Sequence, residues 1–93
     1  MRTFGREEKK YFEFALEGNE KVYKIPLAAY MPMASILMMQ EADRRDESLN
    51  GQVAMLRRYM GDDVDELSPT MVADIINAWI DESAGNGASP GES

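Results

Sequence analysis

From Tyr11 the chain alternates, with Phe12, Phe14 and Leu16 interleaved among Tyr11, Glu13, Ala15 and Glu17. A period of two is the pattern that a strand with one face on a core produces. Gly18-Asn19 comes next, a pair that tolerates the positive φ of a primed two-residue turn, and an apolar-rich stretch resumes from Val22 to Leu27. Residues 11–27 are therefore predicted to form a β-hairpin. Closing it on Gly18-Asn19 sets Phe14 opposite Tyr23, Phe12 opposite Ile25 and Glu13 opposite Lys24, all chemically compatible pairs. The same closure makes Glu17 face Glu20, a like-charge pair that favours a looser four-residue loop. Pro26 cannot donate to a ladder, so the second strand ends there or lies at an edge. A lone hairpin is marginal in water, so its aromatic face must rest on the remainder of the chain.

That remainder has helical spacing. A first helix is predicted over residues 32–44, opened by Pro32. A second runs over 48–60, with Leu49, Val53, Leu56 and Met60 as its apolar stripe and Gly61 as a left-handed cap. Gly51 weakens its first turn by about 1 kcal/mol relative to alanine. A short helical turn is expected between Asp62 and Leu67. The third helix, residues 69–83, carries the fullest set of start signals: Ser68 as cap, Pro69 in the first position, and Leu67 stapled to Val72. Val72, Ile75, Ile76, Trp79 and Ile80 form its stripe, and the large apolar area of Trp79 places that ring in the core. Residues 1–10 are polar apart from Phe4 and read as a flexible lead-in. Residues 84–93, AGNGASPGES, hold nothing apolar beyond alanine and proline and read as a disordered tail. The pattern specifies one α+β domain over 11–83, an N-terminal β-hairpin packed on three helices, with no internal repeat.

Composition narrows the chemistry. The 93 residues include no histidine and no cysteine, which removes the imidazole base, the thiolate nucleophile and the usual zinc ligands together. A thin core seldom builds the deep cleft that carboxylate-only catalysis needs. The expectation is a protein that is not an enzyme and uses no cofactor or metal. A formal charge of -7 repels phosphate backbones and anionic lipids, so neither direct nucleic-acid binding nor membrane binding is expected. That charge serves solubility in one reading and imitates DNA, occupying a DNA-binding protein, in another. No apolar run approaches a membrane span, and the N-terminus lacks a leader's hydrophobic region, so the cytoplasm is the expected compartment. The acidic run Asp62, Asp63, Asp65, Glu66 lacks the glycine position and closing glutamate of a calcium loop and reads as a solvated connector. Arg44-Arg45 and Arg57-Arg58 lie near Asp43, Asp46 and Glu47 and read as weak surface pairs.

Residues 30–39, YMPMASILMM, hold four of the eight methionines. Met33 and Met38 project about 140° apart on a helix, so one core-facing stripe cannot take both. Either this helix is central, covered on two sides, or it keeps an adaptable apolar surface, because unbranched thioether chains repack against varied partners. The small size of the chain favours the second, and Tyr30, Met31, Met33, Met38 and Met39 are the candidate partner-binding residues.

Phe12-Glu-Phe-Ala-Leu-Glu-Gly, then Val22-Tyr-Lys-Ile-Pro-Leu, two short helices, Ala78-Trp79-Ile-Asp-Glu-Ser-Ala-Gly and a terminal Gly91-Glu92-Ser93 together resemble the tail assembly chaperones of long-tailed bacteriophages and prophages, particularly those of Gram-positive hosts. The resemblance spans residues 11–93, and the chain departs from it in the methionine-heavy first helix. It implies a short product, paired with a longer frameshifted one, that coats the tape measure protein, keeps its long helices in solution, recruits major tail tube subunits and is absent from the finished virion. Gly91-Glu92 can be encoded by a run of G followed by A, which would permit such a slip. The resemblance is compatible with self-association of copies. Two other binding classes stand beside it, an acidic DNA mimic and an antitoxin-like inhibitor of another protein.

Overall fold

The structure, a computed structural model, describes residues 1–4 and 9–86. The lead-in expectation for 5–8 and the tail expectation for 87–93 lie outside the described residues; residues 1–4 and 9–10 have no regular structure. β1 (Tyr11–Phe14) and β2 (Tyr23–Pro26) pair antiparallel, with Phe12 opposite Ile25, Glu13 opposite Lys24 and Phe14 opposite Tyr23, the register that the alternation predicts. One face of the ladder stacks aromatic rings, Phe14 lying 5.5 Å from Phe12 and 5.3 Å from Tyr23 between centroids.

The hairpin tip differs from expectation. Asn19 N–H donates to the Leu16 carbonyl at 2.9 Å, so Glu17 and Gly18 are the central turn residues and Gly18 takes the positive φ, 82°. A glycine with positive φ at the third position is the mark of a type II turn. Moving the turn back by one residue relieves the opposition of Glu17 and Glu20. Asn19 is freed to accept the Lys21 N–H on its side-chain oxygen at 2.9 Å.

After a 3-10 turn at Ala28–Tyr30 come α1 (Met33–Arg44), α2 (Ser48–Met60), a 3-10 helix at Gly61–Glu66, and α3 (Pro69–Asn86). Pro32 stands just outside α1 as its cap residue. Ser68 caps α3 as expected, its hydroxyl oxygen accepting the Met71 N–H at 3.1 Å. α3 does not stop at residue 83. Residues 84–86, expected to belong to a disordered tail, complete its last turn. Buried Ser83 pins that end, its Oγ accepting the Ala28 N–H at 3.0 Å, and helix continuation offers the carbonyls one turn back their partners.

α1 closes in a Schellman motif: Glu47 N–H donates to the Ala42 carbonyl at 2.8 Å and Asp46 N–H to that of Asp43 at 3.1 Å. Asp46 occupies the left-handed position, φ 60°, where glycine is commoner. Gly61 ends α2 at φ 65° and ψ -146°, a glycine-only extended region and not the helical left-handed cap expected from sequence.

α2 is the hub. It packs on α1, on β2, on the second 3-10 helix and on α3. A helix flanked on several sides needs a wide apolar arc, which brings Met55 inside. Met55 is fully enclosed although it stands outside the predicted stripe, whereas Leu49 and Ile80, predicted to be internal, are exposed. α1 approaches α2 so closely that a Cβ built on Gly51 would lie 2.6 Å from the Ala42 Cβ. The glycine that weakens the helix locally is what lets the two backbones meet. Trp79 is buried as predicted, and its indole N–H donates to the Pro26 carbonyl at 2.8 Å.

Candidate functional site

Because α2 and not α1 is central, α1 has an inner and an outer face. Ser35 is buried and Met38 and Met39 are half-buried against the core. On the outer face, Met33 is 63% and Leu37 54% exposed, while Ile36 is half-buried against the core. The angular argument about Met33 and Met38 is thus realised: one points out, the other in. Of the remaining candidate residues, Tyr30 is half-buried and Met31 is only 6% exposed.

α1 and α3 face each other across a groove of about 540 Å³. Met31 and Trp79 lie beneath it, Met33 and Ile36 wall it on the α1 side, and Ile80, 49% exposed, walls it on the α3 side. Ala28 and Ala29 of the first 3-10 turn close one end. The polar atoms nearby are engaged: the Trp79 N–H by Pro26 and the Ser83 hydroxyl by the Ala28 N–H. A smaller groove of about 210 Å³ continues the first, sharing Ile36, Trp79 and Ile80 and reaching Asp43 and Ser48. Sequence reasoning misses Ile36 and Ile80 as groove residues. Met33, Ile36 and Leu37 at spacings of three and four do carry the helical signal of a shared face, while the continuous stripe of the third helix draws Ile80 into the predicted core.

Several charged side chains outside the groove are paired. Asp63 accepts from the Lys21 ammonium at 2.8 Å and from the Tyr23 hydroxyl at 2.7 Å, tying the hairpin to the second 3-10 helix. Asn19 donates to the same hydroxyl at 3.3 Å. Asp65 holds Arg57 through two hydrogen bonds of 2.6 and 3.2 Å. The acidic run is therefore not merely solvated: three of its members, Asp62, Asp63 and Asp65, are counter-charges to Lys21 and Arg57. Arg44 and Arg45 both pair with Glu41, and not with Asp43, Asp46 or Glu47 as expected. Asp43 accepts the Ser48 hydroxyl instead, at 2.6 Å.

The hydrogen bonds from Lys21 and then Tyr23 hold the Asp63 carboxyl below the usual carboxylate range, outweighing its partial desolvation. The same contact raises Lys21 and Tyr23, in each case chiefly through the hydrogen bond to Asp63. A carboxyl depressed in the folded state contributes stability above its unfolded pKa and loses it as pH falls through the folded value. A raised lysine or tyrosine contributes below its unfolded pKa and loses it as pH rises through the folded value. Urea midpoints measured against pH should accordingly form a plateau that falls below about pH 4 and again above about pH 10. Asp63→Asn should lower the plateau and flatten both limbs; unchanged limbs would show that this cluster does not fasten the hairpin.

Among the described residues no helix is long and apolar enough to cross a membrane, and no three acidic side chains converge as a metal ion would require. Compared with protein-family models, curated proteins and solved structures, the chain matches none.

Proposed function

We propose that this chain is a tail assembly chaperone of a long-tailed bacteriophage or prophage, acting without catalysis in the host cytoplasm to hold the tape measure protein and aid tail tube assembly. The observation that supports this most is the open groove between α1 and α3, walled by aliphatic and thioether side chains that the fold leaves uncovered. An amphipathic helix exposing its apolar stripe aggregates in water, and a groove of this kind removes that stripe from solvent. Met33 suits the task, because a thioether chain on the rim adjusts to differently shaped neighbours. The charge of -7 then keeps a coated complex dispersed. The resemblance in element order supplies the identity of the partner; the groove supplies the means. A DNA-mimic reading is less well supported, since Asp63 and Asp65 are matched by Lys21 and Arg57 and are not presented as a bare row of phosphate-like charge.

Co-expression with the candidate tape measure protein tests the proposal. Met33→Glu and Ile80→Glu should each reduce the soluble partner severalfold, whereas Val22→Glu, on the exposed hairpin side, should keep it near the wild-type level. Equal solubility with all three variants would remove the groove from consideration as the holding surface.

A further inference from the structure

We infer that the outer edge of β1 pairs with the same edge of a second copy of this chain, joining two hairpins into one four-stranded antiparallel sheet. The inference is independent of the groove and of the holding role. The sheet has two strands, so each has an open edge. Which backbone groups face that edge follows from the ladder. Leu27 N–H donates to the Lys10 carbonyl at 3.0 Å, and hydrogen-bonded and non-hydrogen-bonded pairs alternate in an antiparallel ladder. Phe12 with Ile25 and Phe14 with Tyr23 are therefore the bonded pairs, whereas Tyr11, Glu13, Lys24 and Pro26 turn their backbone groups outward. The two edges are not equivalent. On β2, Pro26 has no N–H to offer, and its carbonyl is taken by the Trp79 indole. On β1, the backbone groups of Tyr11 and Glu13 have no hydrogen-bond partner among the described residues, which leaves a template for another strand.

The side chains of β1 make a second copy a fitting occupant. Tyr23 and Ile25 of β2 are buried, but Phe12, Phe14 and Leu16 on the same face are half-buried, so the apolar face is incomplete toward the β1 edge. A two-fold contact must set outward residues against outward residues. Centring it on Phe12 places Tyr11 opposite the second copy's Glu13. It also brings the two Phe12 rings together in a non-hydrogen-bonded pair, where side chains approach most closely. Phe14 then lies opposite the second copy's Lys10, a cation beside a ring, and Glu13 lies diagonal to its Lys9. Centring on Glu13 would oppose two carboxylates, and centring on Tyr11 would draw the Phe12 rings apart. The whole-chain charge of -7 works against association. Residues 9–14, however, carry two lysines and one glutamate, so the repulsion is not concentrated at this edge.

Sedimentation equilibrium of the whole chain should show a reversible dimer. Glu13→Pro removes one outward N–H from each copy without breaking the β1–β2 ladder, and should raise the dimer Kd by about tenfold, two hydrogen bonds being lost per dimer. Lys24→Pro makes the same change on the outer edge of β2 and should leave Kd within about twofold. Because the chain has no cysteine, disulfide trapping reads the register directly. Tyr11 and Glu13 are both exposed, so Tyr11→Cys and Glu13→Cys spare the core. Mixed under mild oxidation, these two variants should cross-link to each other severalfold more than either does to itself, since directly opposed strand residues lie within disulfide reach. The trapping decides alone if circular dichroism shows that either proline variant fails to fold. A chain that stays monomeric at every concentration overturns the inference, as do equal effects of the two prolines or cross-links confined to like chains. Met33→Glu should leave the dimer intact. A dimer that it abolishes would be seated on the groove, and the β1 edge would be discarded.

Discussion

Trp79→Ala is expected to cost about 3–5 kcal/mol of folding stability, the range for removing a large buried aromatic, and to shift the urea midpoint accordingly. A domain of this length has in all about 5–14 kcal/mol available, so a large part of the population should be unfolded at 37 °C if the true value lies near the lower limit. Trp79 is buried beneath the groove, and its indole N–H donates to Pro26 at the end of β2. It therefore joins three things at once: the hairpin, α3 and the candidate binding surface. Trp79→Phe separates the contributions. It keeps most of the apolar floor but leaves the buried Pro26 carbonyl without its donor, a loss of about 1–3 kcal/mol. The phenylalanine variant should still hold a partner helix at low temperature, and the alanine variant should not. If Trp79→Phe proved as stable as wild type, the hydrogen bond to Pro26 would contribute nothing net to the attachment of the hairpin.

Gly51 should be nearly as sensitive, in a direction opposite to helix propensity. In an isolated helix, Gly→Ala gains about 1 kcal/mol. Here the added methyl would sit 2.6 Å from the Ala42 Cβ, and a β-carbon on a neighbouring backbone cannot swing aside. Overpacking of this kind costs about 1–3 kcal/mol, so Gly51→Ala should be net destabilising and Gly51→Val, with a branched side chain, should lose about 3 kcal/mol or more. Ala42→Gly in the Gly51→Ala background should restore part of the loss, a coupling that a double-mutant cycle by urea denaturation measures. Simple additivity of the two substitutions would mean that α1 and α2 do not meet at this point.

The places where sequence is a good guide share a physical cause, as do the places where it is not. The hairpin register and the Ser68 cap arise from chemistry within a few residues: alternating rings, a hydroxyl at the right offset, a proline that fits the first turn. The turn shift at Glu17-Gly18 is signalled by the conflict of Glu17 with Glu20, which a closure on Gly18-Asn19 leaves unrelieved. Met55, Leu49 and Ile80 escape prediction because their placement depends on which helix is surrounded. The close approach of α1 to α2 depends on Gly51, whose local reading as a weak helix residue conceals its use as a point of contact between helices. Residues 84–86 read as tail because their composition is bland, while the buried Ser83 hydroxyl that fastens the end of α3 to Ala28 is a contact distant in sequence. The candidate site is half legible: Met33 stands out by angle, but the α3 side of the groove can be found only once the helices are placed.

α1 rests chiefly on α2 and joins it through the short segment at Asp46, so the α1 wall of the groove has one main neighbour. A small tilt of α1 about that seam would alter the width of the groove. Under the proposed holding role, a wall attached in this way would let a long helix present bulky and slender residues in succession without a matching change in the rest of the molecule. Tolerance of varied clients would then come from how α1 is attached, with the supple side chain of Met33 adding a finer adjustment.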